Sequence, residues 1–510
     1  MIDATPLLRG YARRRLAALD ALDTAATQAR QLRRLLRRAQ ATRFGRAHRF
    51  AGIGSVTEYQ RQVRLRPYEA LWEEWWQPAF PRLAGATWPG RIPWLALSSG
   101  TSSGTTKYIP VSPAMARANR RAALDVLVWH AAGRPDSRVL AGRSFVLGGS
   151  TALTRLRPGV RAGDLSGIAA SEVPWWARRR TFPPPHLALI EDWDRKIATL
   201  APLSLAQDIR SLSGTPSWLL LFLERLAALR PDLPRRLDAF YPGLELIVHG
   251  GVGFAPYAGR FAAWIGDAAI ATREVYAASE GFIAIQDRGP GEGMRMIPDN
   301  GLFYEFVDPA AIGDPRAPRR WIGDVRAGRE YALALTSNAG LWSYLLGDIV
   351  MLTGTAPPRL LVTGRTSDTL SVAGEHVTGR EIDTAIAAAG RAIGAEVGEY
   401  AAAAHLPGAG ARAGHIFVIE FAEPPASADL RRFAAALDAT LTRLNADYRA
   451  HRQGGYGMLE PEVRLASPGS FAAWMRRRGR IGGQNKVPRV IGDPALLQDL
   501  LAFIAPGPAR

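Results

Sequence analysis

Apolar residues recur at three- and four-residue spacing through the first 50 residues of the chain, where Leu alternates with runs of Arg. This spacing puts the apolar side chains on one side of a helix and predicts two amphipathic helices with solvated basic faces. A further helix is predicted to begin near Ser112 and Pro113, because a Ser cap followed by Pro in the first turn is a typical helix start.

Short apolar runs bounded by Gly predict strands further along the chain. The segments with this character are 94–97, 244–251, 273–285 and 331–354. The third segment is broken by Ser279 and Glu280. The fourth alternates as antiparallel strands do, and we expect its strands to end at Gly347 and Asp348.

The length of the chain requires more than one core, since 510 residues exceed what a single hydrophobic core supports. Helix and strand patterns alternate to the end of the chain without an internal repeat. We place the domain boundary at the turn formed by Gly364 and Arg365. The prediction is an α/β fold, with a large multi-sheet N-terminal domain at 1–363 and a smaller α+β C-terminal domain at 364–510.

The composition is that of a soluble globular protein, with 47% hydrophobic and 22% charged residues. No run of 18 apolar residues predicts a membrane span, and Arg interrupts the apolar positions of the N-terminus where a signal peptide would be continuous. The chain has no cysteine, which excludes disulfides, thiolate metal sites and a cysteine acyl-enzyme. We therefore expect a cytoplasmic enzyme.

The formal net charge of +18 raises the question of a polyanionic partner. The Arg residues are scattered through predicted helices and loops, and no aromatic-interleaved RNA-binding motif accompanies them. We therefore predict no specific nucleic-acid binding. An acidic carrier protein stays open as a partner.

The strongest chemical signal is the run SSGTSSGTTK at 98–107. It lies between a predicted strand and a predicted helix, and it ends in one of only three lysines among 64 basic residues. Its glycines have three residues between them, which is not Walker A spacing, but backbone N–H groups, hydroxyls and an ammonium suit nucleotide phosphates. The alternative is a flexible Ser/Gly linker. The candidate ligands are Ser98, Ser99, Gly100, Thr101, Ser102, Gly104 and Lys107.

Four further segments follow this loop in order: VYAASEG, SYLLGD, GRTSDTLSVAGEHVTGREID and GQNKVPR. With the loop, and with HGGVGF at 249–254, they resemble the auxin-responsive (Gretchen Hagen) acyl acid–amido synthetase family of adenylate-forming enzymes. The resemblance runs from about Thr42 to Arg489. Any one motif is weak, but several in this order and spacing are a specific signal.

The resemblance implies roles for individual residues. Glu280 is expected to be catalytic and to hold Mg²⁺ on the nucleotide phosphates, and Lys486 is expected to be the adenylation lysine. Asp348 is expected to bind the ribose hydroxyls. A hinge is expected near 364–370, which makes the C-terminal domain mobile. The further nucleotide contacts implied are Gly250, Gly251, Ser279, Tyr344 and Arg365.

The implied activity is ATP-dependent conversion of a carboxylic acid into acyl-AMP, followed by acyl transfer to an amine such as an amino acid. Two alternatives stay open: a ligase that forms a thioester with coenzyme A or a carrier-protein pantetheine, and a non-catalytic basic scaffold. Leu345 departs from the family, in which Arg often follows the Tyr of the third motif.

Several of these assignments have an alternative in which the residue has only a structural role. Taken alone, Glu280 and Asp348 could be turn carboxylates, and Lys486 a solvated loop lysine. His249, directly before Gly250, either faces the substrate or is a polar residue of the core.

Overall fold

The computed structural model describes residues 2–99, 106–148, 153–190, 192–254, 257–366, 369–370, 377–405, 414–453, 458–479 and 487–505. The chain forms two compact units. The first contains Thr106–Leu346 with the preceding N-terminal segment and Val350–Val362, and the second contains Thr363–Arg510 together with Gly347–Ile349. Both units combine helices with sheets, which confirms the predicted α/β class.

Helices account for most of the first 50 described residues and alternate with strands thereafter. They are α1 Thr5–Asp20, α2 Thr24–Ala39, α3 Arg43–Ala47, α4 Val56–Gln62, α5 Tyr68–Leu71, α6 Pro113–Gly133, α7 Leu165–Ser171, α8 Trp175–Arg178, α9 Pro185–Ala188, α10 Trp193–Leu205, α11 Pro216–Leu229, α12 Leu237–Phe240, α13 Ala258–Ile265, α14 Gly379–Ile393, α15 Ser427–Leu444, α16 Ala446–Gln453, α17 Ser470–Arg477 and α18 Pro494–Ile504. None of the helices among the described residues is both long and apolar enough to cross a membrane.

Strands occupy the intervals between these helices. They are β1 Trp94–Ser99, β2 Thr106–Val111, β3 Arg143–Leu147, β4 Thr154–Arg157, β5 Val160–Gly163, β6 Thr181–Phe182, β7 Ile209–Gly214, β8 Leu246–Gly250, β9 Ala271–Ala278, β10 Gly281–Ile285, β11 Met294–Met296, β12 Leu302–Val307, β13 Arg319–Trp321, β14 Glu330–Ser337, β15 Tyr344–Thr355, β16 Pro358–Arg365, β17 Thr369–Leu370, β18 Val377–Thr378, β19 Val397–His405, β20 Gly414–Phe421, β21 Glu462–Ala466 and β22 Val490–Ile491.

The largest sheet among the described residues has the strand order β13-β12-β14-β15-β16-β11-β10-β9-β8-β7-β3-β6. One end is parallel, since β3 pairs with β6 and β7, β7 with β8, and β8 with β9 in the same direction. The antiparallel hairpin of β9 and β10 begins the other half. A separate sheet has the order β2-β1-β5-β4.

The predicted helix start at Ser112 is confirmed. The Ser112 hydroxyl accepts a hydrogen bond from the backbone N–H of Met115 at 3.1 Å and donates one to the carbonyl of Asn338 at 2.6 Å. Helix α1 packs on α6 through buried Leu8 and Ala12. The cap therefore fixes α6 against the loop that follows β14, as well as starting the helix.

The expected strand end at Gly347 and Asp348 was wrong. Strand β15 continues through both residues to Thr355. Gly347 has φ = +90°, a left-handed conformation that glycine adopts without a Cβ clash. The strand therefore passes a local kink where the glycine pattern predicted a stop.

The second unit is built on the sheet β21-β20-β19-β22. Helix α14 begins with a capping box, in which Thr378 accepts from the backbone of Glu381 and the Glu381 carboxylate accepts from the backbone of Thr378. One apolar cluster of this unit includes Ile382, Phe417 and Phe433, all with no exposed surface.

Replacing Ser112 with Ala should lower the free energy of unfolding by more than the roughly 1 kcal/mol typical of a lost cap. The carbonyl of Asn338 also loses its donor, and Ser112 has no exposed surface. Chemical denaturation followed by tryptophan fluorescence measures the change. Asp23→Ala is the matched control, because Asp23 caps α2 at an exposed position with a single contact to Ala26. Equal losses in the two variants would contradict the prediction.

Candidate functional site

The carboxyl ends of parallel strands meet at one edge of the large sheet. Leu147 is in register with Gly214, and Gly214 with His249, so β3, β7 and β8 end side by side. Gly250 follows on β8, where a Cβ would lie 2.3 Å from the carbonyl oxygen of Val275. Only glycine fits this approach to β9. Such edges form the ligand crevices of α/β sheets.

Ser279 and Glu280 form the turn that links β9 to β10 at this edge. Each is 7% exposed. One Glu280 oxygen, Oε1, accepts a hydrogen bond from the hydroxyl of Tyr344 at 3.2 Å. Burial, reinforced by the charge of Glu280, holds the pKa of Tyr344 well above its ordinary value. The phenol is therefore a neutral donor that aims the carboxylate.

Lys107 is the second residue of β2 and interacts with α5. Its ammonium lies 3.6 Å from Oε1 of Glu69 and 5.3 Å from the ring centre of Tyr68. The Tyr68 hydroxyl in turn accepts from the backbone N–H of Tyr108 at 2.9 Å. Glu69 is 54% exposed, and such exposed ion pairs contribute little binding energy. Moving the ammonium to another anion would therefore cost little.

Asp348 and Arg365 come together in the second unit. Nε of Arg365 donates to Oδ1 of Asp348 at 2.9 Å. The backbone N–H of Thr366 also donates to the carbonyl of Gly347 at 2.7 Å. These contacts fix the two segments that the sequence assigned separately to the third motif and to the hinge.

The structure describes some of the other predicted site residues and leaves the rest outside its described ranges. Ser98 is half-buried at the end of β1, and Ser99 ends the strand with its side chain undescribed. Gly251 follows β8 with φ = +86°. The residues whose placement is not described are Gly100, Thr101, Ser102, Gly104 and Lys486.

The buried Glu280 carboxylate could serve as one ligand of a divalent cation. Magnesium is commonly bound by one or two carboxylates, with substrate phosphates and water completing the octahedron. The described residues contain no group of three acidic or His side chains that could hold a metal alone.

Three family models match this chain in order along the sequence. They describe the GH3 family N-terminal domain at residues 18–146, the central domain at 295–365 and the C-terminal domain at 380–495. Together they cover more than half of the chain. The chain belongs to the GH3 family.

Curated GH3 relatives match part of the chain. Indole-3-acetic acid-amido synthetase GH3.3 of Arabidopsis thaliana is 26% identical over 238 residues, or 44% of this chain. Probable indole-3-acetic acid-amido synthetase GH3.9 of Oryza sativa subsp. japonica is 29% identical over 251 residues, also 44% of this chain. The chain spans only 40% and 54% of the lengths of these two relatives.

Solved structures extend the likeness to the whole fold. The GH3.15 acyl acid amido synthetase covers 96% of this chain and 95% of its own, with a TM-score of 0.80 and 16% identity. A 2-hydroxyisobutyryl-CoA ligase in the postadenylation state covers 92% and 91%, with a TM-score of 0.59 and 18% identity. At these identities the likeness establishes the fold, and it confirms the predicted GH3-type architecture.

His249 of this GH3 chain is a buried neutral imidazole at the same strand edge. It is 2% exposed and stacks on Phe254 with ring centres 3.8 Å apart. Its Nδ1 has no hydrogen-bond partner among the described residues. Burial lowers the pKa of His249 to about 4. The imidazole is therefore uncharged at neutral pH, whichever of the two sequence interpretations applies.

Sequence reasoning missed a buried polar network at the start of β15. It joins Glu305 and Arg319 to Ser343, the residue before Tyr344. A signal was present, since Glu305 is the one carboxylate in the otherwise apolar and aromatic strand LFYEFV. Without knowledge of its partners, that carboxylate could not be assigned to the site.

The third lysine, Lys196, was also missed. It is 1% exposed, and its ammonium lies 3.4 Å from the carbonyl of Gly148, next to the end of β3. Burial lowers the pKa of Lys196 to about 8, opposed by the charge of Asp164. Burial likewise raises the pKa of Asp164 to about 6. The scarcity of lysine was the available signal for this position.

We predict an acid-sensitive contribution to stability from His249. Its pKa is about 4 when folded and about 6.5 when unfolded, so the unfolded state binds more protons and stability falls as the pH drops through 6.5. By pH 5 this difference should cost about 2 kcal/mol. In His249→Gln that part of the pH dependence should vanish. Denaturation at pH 7.5 and pH 5 checks this, and the same loss in both proteins would contradict it.

Proposed function

We propose that this GH3 chain is an ATP- and Mg²⁺-dependent ligase that converts a carboxylic acid into acyl-AMP. It then transfers the acyl group to an amine, and an amino acid is the acceptor that we propose. The observation that carries the proposal is the buried Glu280 carboxylate, held by Tyr344 at the carboxyl edge of the sheet. Family membership supports it, and the relatives' names describe amido synthetases that act on indole-3-acetic acid.

The chemical problem of the first step explains why such residues are needed. Attack of a carboxylate on the α-phosphate brings one anion against another, so positive charge and donors must surround the phosphate oxygens. The loop at 98–107, with Lys107 as a point charge, would bind the β- and γ-phosphates. Lys486 would act at the reacting phosphate. Bound Mg²⁺ would supply further charge neutralisation, held by Glu280.

The remaining nucleotide contacts follow the same proposal. Gly250 and Gly251 would face the adenine, with Ser279 beside them. Asp348 would accept hydrogen bonds from the ribose hydroxyls. Arg365 donates to the same carboxylate at 2.9 Å, so it would orient Asp348 as an acceptor.

The two-unit organisation suggests how one chain could run two reactions. The C-terminal domain at 364–510 would present Lys486 for adenylation and then move about the segment 364–370 for acyl transfer. Acyl-AMP hydrolyses readily, and a closing domain would exclude water from it. Leu345 stands where many relatives carry Arg, so any role of that Arg falls to another residue here.

Pyrophosphate exchange is the test of the first step. The full chain is incubated with Mg·ATP, labelled pyrophosphate and a panel of carboxylic acids, without any acceptor. Acid-dependent exchange is expected, and it identifies the acyl substrate. AMP release on addition of amines, compared with thiols, then separates amide synthesis from thioester formation. The absence of both exchange and calorimetric ATP binding would favour the basic scaffold.

Glu280→Gln should reduce kcat/KM for adenylation by about 10²–10³-fold, since removal of one preorganised charge stabiliser typically costs that much. The variant should also need more Mg²⁺ for half-maximal exchange. Glu274→Gln is the matched control. Glu274 lies on β9 close to the same turn, and burial raises its pKa. Equal activities of the two variants would contradict the role of Glu280.

Lys486→Ala should nearly abolish acyl-AMP formation and leave the consumption of supplied acyl-AMP largely intact. The reason is that the lysine would neutralise charge only during adenylation. The two half-reactions are measured separately, by pyrophosphate exchange and by amide formation from synthetic acyl-AMP. Equal loss of both would contradict the proposal that the C-terminal domain takes a different position for each half-reaction.

A further inference from the structure

A buried ion pair lies beneath the start of β15. Nε of Arg319 lies 3.1 Å from Oε1 of Glu305, and the two side chains are 2% and 0% exposed. The amide of Gln60 donates to the same Glu305 oxygen at 3.2 Å. Desolvation of such a pair offsets most of its attraction, so a buried pair is weak evidence for stability alone. Its position next to Ser343 suggests that the pair orients the residues at the start of β15.

The second oxygen of Glu305 accepts a hydrogen bond from the hydroxyl of Ser343 at 2.7 Å. The backbone N–H of Ser343 donates to the hydroxyl oxygen of Thr336 at 3.0 Å, and the hydroxyl of Tyr59 lies within 3.0 Å of both hydroxyl oxygens. Ser343 has φ = +45°, in the left-handed region that favours glycine. Three polar contacts thus hold a non-glycine residue in an unfavourable conformation.

This conformation determines where the next residue points. Tyr344 follows directly, is 2% exposed, and donates to Glu280. The backbone of Arg66 holds both flanks, since its N–H donates to the carbonyl of Ser343 at 3.1 Å and its carbonyl accepts from Leu345 at 2.9 Å. One peptide unit therefore separates the network from the phenol that aims Glu280.

We propose that Ser343, held by Glu305, is a positioning residue for Tyr344 and, through it, for Glu280. The hydroxyl keeps the backbone left-handed, and that backbone directs the phenol to the carboxylate. The catalytic consequence rests on the proposed function, because it takes Glu280 to bind the Mg·nucleotide. The geometric part does not depend on it.

Two substitutions at one position separate the backbone effect from the loss of a hydroxyl. Ser343→Ala removes the hydrogen bond and leaves a side chain for which the left-handed φ is unfavourable, so its backbone is expected to relax. Ser343→Gly removes the same bond, but glycine adopts this φ without strain. Crystal structures should show the contact between Tyr344 and Glu280 lost in the alanine variant and retained in the glycine variant. Retention in both, or loss in both, would overturn the proposal.

Kinetics provide the second readout. Ser343→Ala should raise KM for Mg·ATP in pyrophosphate exchange on the order of tenfold, because a small displacement of a positioned group has effects of at least this size. Ser343→Gly should stay within about twofold of the unsubstituted chain. Both should melt at a lower temperature, since Glu305 loses a donor in each.

Ser204→Ala is the matched control. Its hydroxyl is fully buried and lies 2.6 Å from that of Tyr241, so this variant should lose stability and keep its KM. An unchanged KM in Ser343→Ala would overturn the positioning role. If the unsubstituted chain shows no exchange with any acid, the proposed function fails, and the crystal structures still decide the geometry.

Discussion

The hydrogen bond from Tyr344 to Glu280 is the contact on which the site at the carboxyl edge of the large sheet depends. It joins residues 64 positions apart in the sequence. Tyr344 begins β15, Glu280 lies in the turn before β10, and β16 and β11 lie between these two strands in the sheet. The Glu280 carboxylate lies in a turn at this edge and is 7% exposed. The buried phenol restricts it to one direction, which preorganisation of a charged site requires.

Burial gives this contact its strength and also limits its freedom. Tyr344 is almost inaccessible, and its pKa stays well above its ordinary value, so the phenol keeps the proton that it donates to Glu280. The same applies to His249, which is neutral because burial disfavours its charged form. The strand edge thus combines the Glu280 carboxylate with a neutral phenol and a neutral imidazole.

The two units hold different parts of the predicted site. Glu280 and Lys107 belong to the first, and Asp348 and Arg365 belong to the second. In the first unit Tyr344 donates to Glu280, and in the second Arg365 donates to Asp348.

The sequence by itself determined the local elements and the family. Periodicity and capping preferences act over a few residues, which is why the helix at Ser112 and the strand at Gly250 were predicted correctly. Only the tertiary structure decided which side chains meet. Long-range contacts, such as those of Ser343 with Glu305, leave no periodic signal, and at Gly347 sheet pairing continued a strand that local preference would have ended.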